Sequence, residues 1–119
     1  MMKIILYGTQ QDCEDFQKQV GKSPPLAFRQ IEYNACRDYD GFIRDLRAPC
    51  DAVFVLADGA DGMEGVIAAR DLKPDTPLVW FSDDKGFGPQ SYRVKCAYFA
   101  PKPLTPDKLQ TAFALCGLQ

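Results

Sequence analysis

The chain has 119 residues, enough for one domain of ordinary size, and its 46% hydrophobic, 12% aromatic and 25% charged residues exclude a disordered or collagen-like polymer. Fourteen Lys and Arg against 16 Asp and Glu leave a net charge of −2, so no general positive field exists to gather nucleic acid or an anionic membrane. Histidine is absent, which excludes Ser-His and Cys-His nucleophile pairs, imidazole metal sites and phosphohistidine transfer out of this chain. Five cysteines, at 13, 36, 50, 96 and 116, are odd in number and form no C-x-x-C pair, so most read as small core residues of a reducing cytosol. The apolar stretch at the start is too short for a signal peptide, and no later run approaches the ~20 residues of a membrane span; the expected location is the cytoplasm.

In chain order, residues 3–7 form the first predicted strand, a nearly unbroken apolar run closed by Gly8, as suits a strand covered on both faces. In residues 10–20, Cys13, Phe16 and Val20 recur at helical spacing, with Thr9 as N-cap and Gly21 and Pro24-Pro25 as the stop. Residues 26–33, with Phe28, Ile31 and Tyr33, read as a shorter and more polar edge strand. Asn34 offers a cap for a second helix striped by Tyr39, Phe42, Ile43 and Leu46; Gly41 inside it costs about 1 kcal/mol relative to Ala, which the stripe outweighs. Residues 52–57 are the strongest strand in the chain. A glycine-rich connection, residues 58–62, leads to a helix through Met63, Val66, Ile67 and Arg70. Residues 77–81 and 97–100 are the last two strands, separated by a loop and short helix around Gly86, Gly88 and Pro89. Thr105-Pro106 is an N-cap and N1 pair opening a final helix with Leu109, Ala112, Phe113 and Cys116 on one face.

Five repetitions of strand then helix, joined by right-handed crossovers, predict an α/β domain over residues 1–119: a five-stranded parallel sheet of order 2-1-3-4-5 in a flavodoxin-like (βα)5 three-layer sandwich. In that topology ligands sit beyond the carboxyl ends of the strands, so Gly8, Thr9, Asp58, Ser82 and Lys102 should converge there. The spacing Gly59, Gly62, Gly65 imitates a phosphate-cradling loop but lacks both the dinucleotide and the Walker arrangement.

Asp58 after the third strand, Gly62 to Gly65 in the next helix, Ser82 ending the fourth strand and Lys102-Pro103 closing the fifth together resemble the receiver domain of bacterial response regulators. The repeating pattern covers the whole chain, and residues 51–102 carry the likeness. The resemblance implies Asp58 as phosphoacceptor and Ser82 and Lys102 as contacts to the phosphoryl group. It also implies Phe99 as the aromatic whose rotation couples the cleft to the partner surface formed by the fourth helix, fifth strand and fifth helix of the family. A fixed core aromatic is the alternative for Phe99.

The chain departs from the family pattern in three places. Gly8 and Thr9 stand where the family has the acidic pair that holds Mg²⁺. Family spacing counted back from Gly65 reaches Ala57, so Asp58 is displaced by one residue. Asp83 and Asp84 follow Ser82, where a small residue would leave room for a phosphoryl group. Asp12, Glu14 and Asp15 are either substitute metal ligands or acids that favour the positive end of the first helix, and Lys102 can pair with Asp58 or Asp83. The reading that follows is a degenerate receiver, not an enzyme, that binds a protein partner or a second copy of itself, with no cofactor and no output domain in these residues. Its rivals are a working phosphoacceptor receiver using Asp58, Mg²⁺ and a histidine kinase, and a small flavodoxin-like cofactor-binding protein.

Overall fold

The computed structural model describes residues 1–118. Its elements run β1 (Met2–Tyr7), α1 (Gln10–Gly21), α2 (Pro24–Ala27), β2 (Ile31–Cys36), α3 (Tyr39–Asp45), β3 (Ala52–Val55), α4 (Gly59–Leu72), β4 (Leu78–Ser82), a 3-10 turn (Lys85–Phe87), α5 (Gly88–Arg93), β5 (Tyr98–Pro101) and α6 (Pro106–Leu115). All strand pairs are parallel, in the order β2-β1-β3-β4-β5. This is the expected flavodoxin-like sandwich.

The unbroken apolar runs of the central strands have a simple cause, which is that both faces of the sheet are covered. Side chains alternate between two cores. Ile4, Leu6, Phe54, Val79 and Phe81 face α1 and α6, where Phe16, Phe54 and Phe113 pack ring against ring. Ile5, Tyr7, Val53, Val55, Leu78 and Trp80 face the other side, where Tyr7 stacks on Phe42 and Trp80 meets Phe87 and Phe99. Each fully buried Phe, Leu or Ile contributes roughly 1.5–3 kcal/mol, so these two layers dominate the stability of the domain. The cysteines are free, and burial pushes the thiols of Cys13 and Cys116 up to about 11 and those of Cys36 and Cys96 up to about 12, so they behave as core groups.

Several boundaries differ from the sequence reading, among them the end of the third strand, expected at residue 57 and found at Val55. Of residues 26–33 only 31–33 are strand: Pro24 and Pro25 occupy the first turn of the short helix α2, whose Leu26 is buried while Phe28 is 92% exposed, and β2 runs from Ile31, opposite Met2, to Cys36. Proline preset to helical φ favoured this turn over an extended chain. Asn34 lies within β2, opposite Ile5, and Asp38 caps α3 by accepting the Gly41 N–H at 2.7 Å. Phe42 and Leu46 of the expected stripe are buried, while Tyr39, which opens the helix just after its cap, is 40% exposed.

Helix α4 packs close to the sheet because Gly62 and Gly65 have no side chains. A Cβ at Gly62 would overlap the Ala57 carbonyl oxygen, and one at Gly65 would come within 2.8 Å of the Tyr7 ring. These glycines therefore serve packing and lie inside the helix rather than in a loop before it. Gly59, at φ +59°, supplies the left-handed turn that lets α4 begin directly after Asp58.

Candidate functional site at the strand tips

Three charged side chains from distant parts of the chain meet where β1, β3 and β5 end. After β1, Gly8 passes so close to β3 that a Cβ would lie 2.9 Å from Leu56 Cβ. Thr9 then caps α1 through a reciprocal pair: its Oγ1 accepts the Asp12 N–H at 3.1 Å, and Asp12 Oδ2 accepts the Thr9 N–H at 3.2 Å. The capping bond orients the Asp12 carboxylate and leaves Oδ1 free to face the cleft.

Asp58 stands at the N-cap of α4 but its side chain does not cap the helix. The end of β3 is held inward as the N–H groups of Leu56 and Ala57 both donate to the Tyr7 carbonyl, at 2.6 and 3.0 Å. Asp58 Oδ1 instead accepts the Asp83 N–H at 3.2 Å and lies 2.8 Å from Lys102 Nζ. Lys102 arrives from β5, its N–H donating to the Ser82 carbonyl at 2.8 Å, and is followed by a cis bond to Pro103 and by the buried anchor Leu104. Lys108 on α6 donates to the carbonyls of Pro101 and Pro103, at 2.7 and 2.9 Å, and holds this turn from outside.

The Lys102 ammonium thus bridges Asp58 and Asp12, at 2.8 and 3.0 Å, with only 18% of its side chain exposed, the same as Asp12, against 45% for Asp58. Burial alone lowers the pKa of this lysine, but the hydrogen bonds and charges of Asp58 and Asp12 outweigh it and hold the group above its ordinary value. Of the five residues expected to converge, Asp58 and Lys102 touch, Gly8 and Thr9 shape the turn that brings Asp12, and Ser82 takes another role. Ser82 is fully buried; its Oγ accepts the Asp84 N–H at 3.1 Å and lies 3.5 Å from Asp83 Oδ1, so it organises the turn after β4. Of the two partners the sequence offers, Lys102 pairs with Asp58 and not with Asp83, whose contribution to the cleft is its backbone N–H. Phe99 lies half-buried, edge-on to Trp80 at 5.3 Å, with Phe87 stacked on the same indole at 5.1 Å.

Asp12 is the member that the sequence did not single out. Its charge at the third position of a helix is fully accounted for by the cap, and its second partner is 90 residues away.

The fold and this strand-tip cleft define a class: the chain has the receiver fold. No protein-family model matches the sequence, and no curated protein is significantly similar to it. Solved structures match over nearly the whole length. The bacteriophytochrome response regulator AtBRR superposes with a TM-score of 0.76 at 18% identity, covering 100% of this chain and 94% of that one. A response regulator receiver protein from Sinorhizobium medicae WSM419 gives 0.70 at 22% identity, over 98% and 94%. A CheY-like receiver domain protein from Methanospirillum hungatei JF-1 gives 0.69 at 16% identity, over 96% and 91%.

The resemblance implies Mg²⁺ held by carboxylates in this cleft, and the residues present do not fit it. Mg²⁺ needs an octahedron of oxygens at about 2.0–2.1 Å. Here a lysine ammonium stands between the two carboxylates, and the second oxygen of Asp12 is committed to the Thr9 N–H. Among the described residues no group of three or more Cys, Asp or Glu is placed to hold a metal ion.

Proposed function

We propose that this chain is a receiver-fold signalling module that acts in the cytoplasm by binding another protein or a second copy of itself, without Mg²⁺-dependent phosphorylation of Asp58. The observation that carries the reading is the ion triad Asp12–Lys102–Asp58, in which a side chain of the protein itself neutralises the two carboxylates of the cleft. A phosphoryl group on Asp58 would add negative charge beside Asp83, whose N–H is already bonded to Asp58 Oδ1. Any two unit charges 4 Å apart repel by about 4 kcal/mol at an effective dielectric near 20, and among the described residues no group of three Cys, Asp or Glu is placed to hold a metal ion that would offset such repulsion. A protein-binding module also accounts for large side chains left in water on the surface of α5, β5 and α6, where Tyr92 is 86% and Leu115 56% exposed.

The test is incubation with acetyl phosphate, or with beryllofluoride and Mg²⁺, followed by intact mass and by amide spectra of the wild type and Asp58→Asn. The expected result is no adduct and no Asp58-dependent spectral change; a stoichiometric adduct lost in Asp58→Asn overturns the reading. A working phosphoacceptor is the second reading, and one observation favours it: the Asp58 carboxylate is 45% exposed and bonded to Lys102, so it is reachable from solvent and beside a cation. The same experiment decides between the two.

A further inference from the structure

On the shoulder of the molecule between α3 and α4 stands a second group of carboxylates, and it has no cation. Tyr7, the last residue of β1, is only 4% exposed, its ring held between Phe42, stacked at 4.4 Å, and the backbone of Gly65. Its hydroxyl has no hydrogen-bond partner among the described residues. Burial, and then the charges of Asp61, Glu64, Tyr39 and Asp38, hold this phenol above its ordinary range. Asp38, Asp61 and Glu64 are exposed, and among the described residues none of them is ion-paired with Lys or Arg. Beside them two large apolar side chains reach solvent: Tyr39, 40% exposed at the start of α3, and Ile67, 45% exposed and one turn along α4 from Glu64.

The nearly buried Tyr7 side chain, whose hydroxyl makes no hydrogen bond among the described residues, lies between α3 and α4 with three carboxylates that no Lys or Arg pairs, and that combination is a receptor for positive charge. The carboxylates are too widely spread to enclose one metal ion. A guanidinium or ammonium carried on a chain can use spread acceptors one by one, and Tyr39 and Ile67 supply apolar contact that a free cation could not use. We propose that the α3–α4 shoulder is the docking surface for a basic amphipathic segment of a partner protein, with a Lys or Arg side chain set among Asp38, Asp61, Glu64 and the Tyr7 hydroxyl and an apolar side chain laid on Ile67. The proposal rests on the reading of the chain as a protein-binding module.

The test uses the full chain, labelled with ¹⁵N and titrated with a helical peptide built of arginine and leucine, and with the same peptide carrying glutamate for arginine. The arginine peptide should shift the amides of Asp38, Tyr39, Asp61, Glu64 and Ile67 together and the glutamate peptide should not. Asp61→Asn with Glu64→Gln should weaken binding about tenfold, the sum expected of two exposed charge contacts. Tyr7→Phe, which keeps the ring stack, should weaken it about threefold, a loss on the scale of one hydrogen bond that a diffuse acidic field would not produce. Equal affinity in the double variant, or shifts centred on Asp83 and Asp84 or on α5, β5 and α6, overturns the assignment. The last outcome leaves the protein-binding reading standing, whereas a phosphoryl adduct on Asp58 overturns that reading and leaves the peptide site untouched.

Discussion

Two cationic side chains are drawn into the structure at opposite ends of the sheet, and their partners differ in kind. Lys102, at the carboxyl ends of the strands, is held by two carboxylates. Arg70, near the end of α4, is held by backbone alone: Nε donates to the Val94 carbonyl at 2.8 Å, Nη2 to Lys95 at 3.2 Å, and Nη1 to Pro74 at 2.7 Å with Lys73 and Thr76 at 3.3 Å. One guanidinium thereby ties the loop before β4 to the loop before β5. Carbonyls are neutral, fixed by the fold and already ordered, so this arrangement stabilises and has nothing to switch. Carboxylates are charged, solvent-reachable and exchangeable between a lysine and another cation, so the Lys102 triad stabilises less and can be perturbed by chemistry. The cation with neutral acceptors belongs to the architecture, and the one with charged acceptors belongs to the site.

The sharpest way to break this contrast is at Arg70. Arg70→Met should cost about 3 kcal/mol, since hydrogen bonds to a charged donor are lost and carbonyls at two loops are left without it, and should lower Tm by on the order of 10 °C in thermal unfolding. A loss no larger than that of Lys102→Met would remove the distinction. Next in size, Gly62→Ala should destabilise by about 2 kcal/mol in urea unfolding, because the methyl meets the Ala57 carbonyl oxygen and α4 must move off the sheet.

Lys102→Met should cost less, about 1–2 kcal/mol, because removing one partner of a partly buried pair is unfavourable but Asp58 remains open to water. Asp12→Asn should then cost less in the Lys102→Met background than in the wild type, and a double-mutant cycle that closes additively would show that the triad is not coupled. The smallest effect is on pH. Lys102 is held above its ordinary value of 10.5, so its pairing contributes fully below pH 10.5 and is lost as pH rises through the higher folded value. Stability at neutral pH should be flat in this respect, and the gap between wild type and Lys102→Met should narrow only above about pH 10.5.

The cleft was only half legible in the chain. Asp58 and Lys102 could be found because each follows a strong apolar strand, and a strand-helix alternation puts every such terminus on one edge of the sheet. Asp12 could not be ranked above Glu14 or Asp15, since all three sit where acids favour a helix start, and only the tertiary approach of Lys102, just after β5, to the start of α1 gives one of them a lysine. Ser82 was placed correctly at a strand end, yet the direction of its hydroxyl depends on the turn formed by Asp83 and Asp84. Tyr7 reads as the last apolar residue of β1, and nothing local to it foretells that its ring lies between Phe42 of α3 and Gly65 of α4.

What the amino-acid order determined alone is the succession of elements and the two-sided burial of the central strands, because hydrophobic periodicity and unbroken apolar runs are local quantities. Right-handed crossovers make the sheet parallel, while the order β2-β1-β3-β4-β5 depends on which face each helix covers. The edges were read less well: β2 alternates polar and apolar residues, and Pro24-Pro25 suits both a stop and a helix start. Which carboxylate holds Lys102, which glycine admits α4 to the sheet and which acids surround Tyr7 were decided by tertiary structure, because these are distances between residues tens of positions apart, set by how the layers pack.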